Sequence, residues 1–275
     1  MMKRYKALLR VLSFPLILSE YFSRETGKEY GISLANKLSL ARKVIRNKKQ
    51  IKGSTHYYEH LVMITKIFKM PRSVEGCIVE CGSYKGRSSA ALSLACSLCG
   101  RTLEVFDSFQ GLPEPSEIDK KHVVFDAKEI QVYSKGTFAG SLEEVKANLT
   151  KYGDIKVCSF NVGFFEDTLP HFKKKCAFVF LDVDLIDSME KCLVHLWPLL
   201  QDDCYLYTHE AHHPDIASIF YDKEWWKKHF NCPPPSLVGA GCGIGLYPGI
   251  STFISSIGYT IKNPKISSFE VEPQE

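Results

Sequence analysis

The sequence has no apolar run of the roughly 18 residues a membrane-spanning helix needs, so no transmembrane segment is expected. It has no strong surplus of one charge. Lysines and arginines number 35 against 31 aspartates and glutamates, a net of +4. That balance leaves no electrostatic footprint for nucleic acid. The longest basic run, Lys173-Lys174-Lys175, reads as a solvated helix end. Ten cysteines are present, yet Cys96 and Cys99 form the one Cys-x-x-Cys and have no second pair at zinc-site spacing. Cys77, Cys81, Cys176 and Cys192 lie in apolar surroundings, where cysteine packs as a small hydrophobe. Free thiols point to a reducing, cytoplasmic compartment. No small-residue cleavage site follows the basic start and the apolar patch from Ala7 to Leu18. An amphipathic helix is expected there instead of a secretory leader, packing on a partner subunit and so hinting at a homodimer, or more weakly on a membrane surface. No internal repeat occurs, and no G-x-G-x-x-G fingerprint. The missing fingerprint argues against a nucleotide-cofactor oxidoreductase.

What is present suits a globular fold: 275 residues, of which 45% are hydrophobic. Residues 1–70 read as a helical N-terminal extension, with "SLANKLSLARKVIRNKK" apolar at helical spacing. From about residue 71 to 275 the character changes to one larger domain. Five short apolar runs follow: Cys77–Gly82, Thr102–Phe109, Ile155–Gly163, Ala177–Asp184 and Cys204–Glu210. Most are continuously apolar, which marks strands buried on both faces of a parallel sheet. Helical stretches alternate with them at Gly86–Cys99, at Ser141–Tyr152 with a capping box from Ser141 to Glu144, and at Ser188–Leu200. The glycine-rich "LVGAGCGIGLY" and the later "GYTI" read as a closing antiparallel pair. The expected fold is therefore α/β, a doubly wound, mostly parallel seven-stranded sheet of Rossmann-like character. Gly111 to Gly140 fits neither element type and reads as a functional lid.

In such sheets ligands bind beyond the carboxyl ends of the strands, where strand order reverses. The first turn there is "ECGSYKGRSS". Gly82 permits close backbone approach, and Gly86 opens the helix without a side chain. Ser83, Tyr84, Ser88 and Ser89 offer donors beside the helix start. Glu80 precedes the glycine; it would repel a diphosphate but holds an ammonium group. Asp107 ends the second strand, where an acid accepts ribose hydroxyls. A nucleoside with an amino-acid tail describes S-adenosylmethionine.

The successive blocks "VECGSYKGRSSAALSLA", "EVFDSFQGLPEPS", "GTFAGSLEEVKANL", "FNVGFFEDTLP" and "FLDVDLIDSMEKCLVHLWPLL" resemble the macrocin O-methyltransferase family, in that family's order. The resemblance runs from about Gly76 to Glu210, and "FDSFQGLPEP" is its most specific block. It implies a class I methyltransferase fold, S-adenosylmethionine as donor, magnesium, and hydroxyl acceptors, often on sugars of natural products. It also implies that Glu80, Gly82, Ser83, Asp107, Ser108, Gly163 and Phe164 contact the donor.

Carboxylates at a strand's end suit magnesium, which takes oxygen ligands and lowers the pKa of a bound hydroxyl. Asp182 and Asp184 stand at such an end. The family usually places two aspartates and a tyrosine after the fifth strand. Here His209, Glu210 and Ala211 stand instead, and Ile186 and Met189 replace the family's tyrosine and threonine. Histidine ligates zinc, iron or nickel better than magnesium. Asp182, His209 and Glu210 are the expected metal ligands, with Asp184 and His209 as candidates for activating the acceptor. Loss of the metal, leaving a non-catalytic binding protein, is the rival reading. His209-Glu210-Ala211-His212-His213 also matches H-E-x-x-H of zinc proteases. A strand-like approach and Pro214 speak against the helix that chemistry needs. His212, His213 and the aromatic "FYDKEWWKKHF" are further candidates to line the acceptor pocket, the latter reading as an amphipathic helix with Trp225 and Trp226 partly buried.

Overall fold

The computed structural model describes residues 14–121, 123–126, 129–240 and 256–265. Eight strands form among them: β1 (Cys77–Cys81), β2 (Leu103–Asp107), β3 (Val123–Asp126), β4 (Glu129–Val132), β5 (Cys158–Val162), β6 (Cys176–Leu181), β7 (Leu200–Thr208) and β8 (Gly258–Ile261). Six make one sheet in the order β5-β2-β1-β6-β7-β8, while β3 and β4 pair as a separate antiparallel hairpin. The first five strands of the sheet run parallel, and β8 runs antiparallel to β7. β1 and β6 are buried at every position. Their continuous apolar character follows from helices covering both faces. β5, at the sheet edge, is only partly buried.

Nine helices are described: α1 (residues 14–22), α2 (Leu34–Gln50), α3 (Tyr57–Lys69), α4 (Arg87–Cys99), α5 (Leu142–Tyr152), α6 (Phe165–Thr168), α7 (Ile186–Leu196), α8 (Pro214–Ile219) and α9 (Lys223–Phe230). α2, α3 and α5 pack on α4, whereas α7 packs with α6 and α8. Ser33 starts α2 with a full capping box to Asn36. Leu40 and Val44 of α2 and Leu61, Ile64 and Phe68 of α3 join the same buried cluster as Ile78, Ala91 and Phe178 of the sheet and α4. Arg87 ties the α2–α3 connection to α4 by donating to the carbonyls of Ile51 (2.7 Å) and Thr55 (2.9 Å).

Several expectations shift. Six strands of the main sheet are described where seven were expected. The expected partner of "GYTI" falls mostly on residues 241–255, outside the described residues; Val238 alone bridges Tyr259. Ile155–Val157 is a 3-10 turn, and β5 begins after it. Only half of the expected capping box at α5 forms: Ser141 accepts from the Glu144 amide (3.2 Å), while the Glu144 carboxylate pairs with Lys85 (2.7 Å). Trp226 is fully buried, its indole N–H donating to the Ile219 carbonyl (2.7 Å). The segment from Gly111 to Gly140 carries the hairpin and is pinned at both ends by Leu112 N–H to Thr137 O and Gly136 N–H to Leu112 O, each 2.9 Å. A Cβ at Gly111, whose φ is +86°, would meet the Gly136 and Thr137 carbonyls at 2.6 Å, so that closure requires glycine. Most of the amphipathic stretch from Ala7 to Leu18 lies outside the described residues.

Chain order reverses at β1: β2 and β5 lie on one side, β6 to β8 on the other. The ladders also run one residue past the strands. Gly82 N–H reaches Phe106 O (2.9 Å), Asp182 N–H reaches Cys81 O (2.9 Å), His209 N–H reaches Leu181 O (2.9 Å) and Gly163 N–H reaches Asp107 O (3.1 Å). Gly163, Asp107, Gly82, Asp182 and His209 therefore stand in one row across the carboxyl ends, where this architecture places its ligands.

Candidate active site

At the β1–β2 end the turn is organised by Asp107. One carboxylate oxygen accepts from Ser83 N (2.7 Å), Ser83 Oγ (3.1 Å) and Tyr84 N (3.2 Å); the other accepts from Phe109 N (2.7 Å). Burial lifts the Asp107 pKa, and these four donors hold it down only in part. Asp107 is thus first the clasp of the glycine turn, a role the spacing alone does not disclose. Gly82 has φ +84°, and a Cβ there would collide with the carbonyl of Asp182, the residue after β6. Gly86, at φ +82°, starts α4 where a Cβ would press on Leu149 (2.8 Å) and Val145 (3.1 Å) of α5. Both glycines are therefore demanded by neighbouring protein.

Glu80 is fully buried, and among the described residues neither of its oxygens has a hydrogen-bond partner of good geometry, although the hydroxyls of Ser88 and Ser89 lie close enough to influence it. Burial pushes its pKa up to about 8, with the charges of Asp182 and Asp107 adding and the hydroxyls of Ser88 and Ser89 offsetting only part. Ser88 is itself buried beside it. Ser108 folds back, donating to Gly111 O (2.9 Å) and accepting from Gln110 N (3.1 Å). Gly163, at φ +143°, and Phe164, the residue before α6, close the β5 end. The Tyr84 ring meets Phe138 edge-on at 5.9 Å.

The β6–β7 end is different in kind. His209 Nδ1 lies 3.3 Å from Asp182, and its Nε2 lies 3.7 Å from Glu59 of α3. Burial opposes a charged ring here, yet Asp182, Glu59 and Glu210 outweigh it and lift His209 to about 10. Asp184 adopts φ +61°, a left-handed conformation uncommon outside glycine. Burial, then the charge of Asp182, raises it to about 7. The Tyr133 hydroxyl donates to Asp184 (3.2 Å) and lies 3.0 Å from His213 Nε2. Glu210 is buried, one oxygen 3.5 Å from His213 Nε2 and the other, Oε1, without a partner. Burial and the charges of Asp184 and Asp182 raise its pKa well above the carboxylate range. His212 Nδ1 sits 3.2 Å from the His209 carbonyl, and burial keeps its pKa near 4.

One ligand atom each from Asp182, His209 and Glu210 lies within 4.8 Å of the others, a spacing that suits a divalent ion. The chemistry suits magnesium less well, because one of the three ligands is an imidazole. Asp184 stands beside this trio. The H-E-x-x-H alternative fails on geometry: β7 ends at Thr208 and α8 begins at Pro214, so residues 209–213 are not on a helix. Sequence reasoning missed Glu59 and Tyr133. Glu59 shares a helical stripe with the buried Met63 and Ile67 of α3, and an acid on an apolar stripe is the signal that could have found it. Tyr133 has no such signal.

The model of the macrocin-O-methyltransferase (TylF) family matches residues 59–213, more than half of the chain and from the first acid of the site to its last histidine. The solved structure of the O-methyltransferase NovP is similar at 19% identity and a TM-score of 0.59, covering 82% of this chain and 99% of that one. The calicheamicin methyltransferase CalS11 matches at 17% identity and a TM-score of 0.49, covering 80% of this chain and 91% of that one. No curated relative matches the chain significantly by sequence. The likeness to NovP shows the methyltransferase fold, and the family match identifies the enzyme class: the chain belongs to the macrocin-O-methyltransferase family.

Proposed function

We propose that the chain transfers a methyl group from S-adenosylmethionine to a hydroxyl of a small molecule, such as a sugar or natural product, with a divalent metal ion assisting. The observation that carries this reading is Glu80. A buried acid with both oxygens unpartnered is costly unless a cation answers it. The ammonium of the donor's amino-acid tail is such a cation. Asp107 holds the turn closed for that tail and faces the ribose from the end of β2. Gly82, Ser83, Tyr84, Ser88, Ser108, Gly163 and Phe164 complete the donor contacts in this reading.

When bound, the donor supplies an electrophilic methyl on its sulfonium, and a divalent ion acidifies the acceptor hydroxyl. The ion would be held by Asp182, His209 and Glu210, with His209 releasing its proton to ligate. The protein's remaining task is orientation. Asp184, with a pKa brought to about 7, is the better of the two candidate bases. His209 stays protonated at neutral pH in the ion-free site and is poorly suited to accept a proton there. The seven-stranded sheet, the helical extension over residues 1–70 and a cytoplasmic homodimer also belong to this reading. All nine described cysteines are free thiols, in keeping with a reducing compartment. Among the described residues no helix is long and apolar enough to cross a membrane.

The test is methyl transfer from labelled S-adenosylmethionine to a panel of sugars and phenols, with and without a chelator. Product bearing one added methyl on oxygen, suppressed by the chelator, is expected. Donor binding without any transfer, and without any metal effect, would support a non-catalytic protein instead.

A further inference from the structure

We infer that the loop after β7 holds a second divalent-cation position, built by Glu210, His212 and His213 and suited to a zinc-class ion over magnesium. It shares Glu210 with the position proposed above and lies outside the Asp182–His209 pair. The inference rests on the functional reading only for its neighbourhood, because the binding itself is independent of methyl transfer.

Three observations converge. One ligand atom each from Glu210, His212 and His213 lies within 4.8 Å of the others. Glu210 brings a buried carboxylate oxygen, Oε1, that no donor among the described residues satisfies. A buried acceptor of that kind normally finds a partner, so the orphan atom marks a ligand site. The rings are also oriented from outside. His212 Nδ1 is 3.2 Å from the His209 carbonyl, while His213 Nε2 stands between the Tyr133 hydroxyl at 3.0 Å and the Glu210 carboxylate at 3.5 Å. Backbone carbonyls and hydroxyls on the second ring nitrogen are what fix metal-ligating histidines. With Nδ1 donating, the His212 lone pair lies on Nε2.

The donor set decides the ion. Two imidazoles and one carboxylate suit zinc, cobalt or nickel, whereas magnesium wants an oxygen shell at octahedral geometry.

The test loads the full-length, chelator-stripped protein with cobalt(II) or zinc(II) in excess magnesium. X-ray absorption at the metal edge then counts imidazoles in the unaltered protein. Two imidazoles on the bound ion are expected. One or none would overturn the inference, as would failure of either metal to bind. Variants sharpen the result. His212→Ala and His213→Ala should each weaken cobalt binding by at least about tenfold, while Asp182→Asn retains it. Binding that survives both histidine changes, or that is lost in Asp182→Asn, would overturn the inference. Calorimetry with S-adenosylmethionine on the same samples keeps the two readings apart. Loss of donor binding in the unaltered protein strikes the proposed function and leaves the imidazole count standing.

Discussion

The two ends of the site are built on opposite terms. At β1–β2 the decisive acid, Asp107, accepts four hydrogen bonds, and the turn it clasps fits between α5 and β6 with no room for a Cβ at Gly82. At β6–β7 Asp184 and Glu210 are both lifted in pKa by burial and by the charge of Asp182, and among the described residues Glu210 keeps an unpartnered oxygen. Glu80 sits between the two ends and behaves like the second. The difference teaches where each region gets its shape. Satisfied hydrogen bonds make the glycine turn rigid before anything binds. At the other end crowded acids raise one another's cost of ionisation, a cost that a bound cation would offset.

The largest effect should come from breaking the rigid end. Gly82→Ala forces a side chain against the Asp182 carbonyl at a φ of +84°. It should cost more than about 4 kcal/mol, read by denaturant unfolding; a loss under 1 kcal/mol would show the turn to be soft after all. Asp107→Ala strands the amides of Ser83, Tyr84 and Phe109. About 3 kcal/mol of stability should go, and donor affinity measured by calorimetry should fall roughly 100-fold with it.

The other end should fail differently. Asp184→Asn should slow methyl transfer by roughly 100-fold while donor affinity is unchanged. Equal losses in both would erase the contrast between the ends. The last effect depends on pH and concerns Glu80. Its pKa is raised to about 8 in the folded protein, so the folded state keeps a proton that the unfolded chain has already released above its ordinary value of 4.5. Stability must then fall as pH rises through that window. Glu80→Gln removes this contribution. The variant's advantage over the parent should grow by about 2 kcal/mol between pH 6 and pH 8, and donor affinity should fall. A parent whose stability holds level between pH 6 and 8 while the variant gains nothing would show that Glu80 is not the strained group.

Much of this was legible in the residues. Continuous apolar runs give the strands, Ser141 and Gly86 mark helix starts, and the family blocks name the chemistry. The sequence could not reveal that Gly82 answers to β6, because that contact joins residues a hundred positions apart. Nor could it reveal that Asp107 clasps its own turn, since an acid at a strand end reads equally as a ribose acceptor. Glu59 was hidden for a related reason. It lies in the segment read as an extension, yet α3 folds back so that this acid reaches His209. Tyr133 follows a hairpin in the connection read as a lid, and only the closed ends of that connection bring it to Asp184.

The most direct test of the central claim is a crystal structure of the protein with S-adenosylmethionine bound. The account predicts density across the carboxyl ends of β1 and β2, with the ammonium beside Glu80 and the ribose beside Asp107. Density elsewhere, or an untouched Glu80 still buried without a partner, would contradict it.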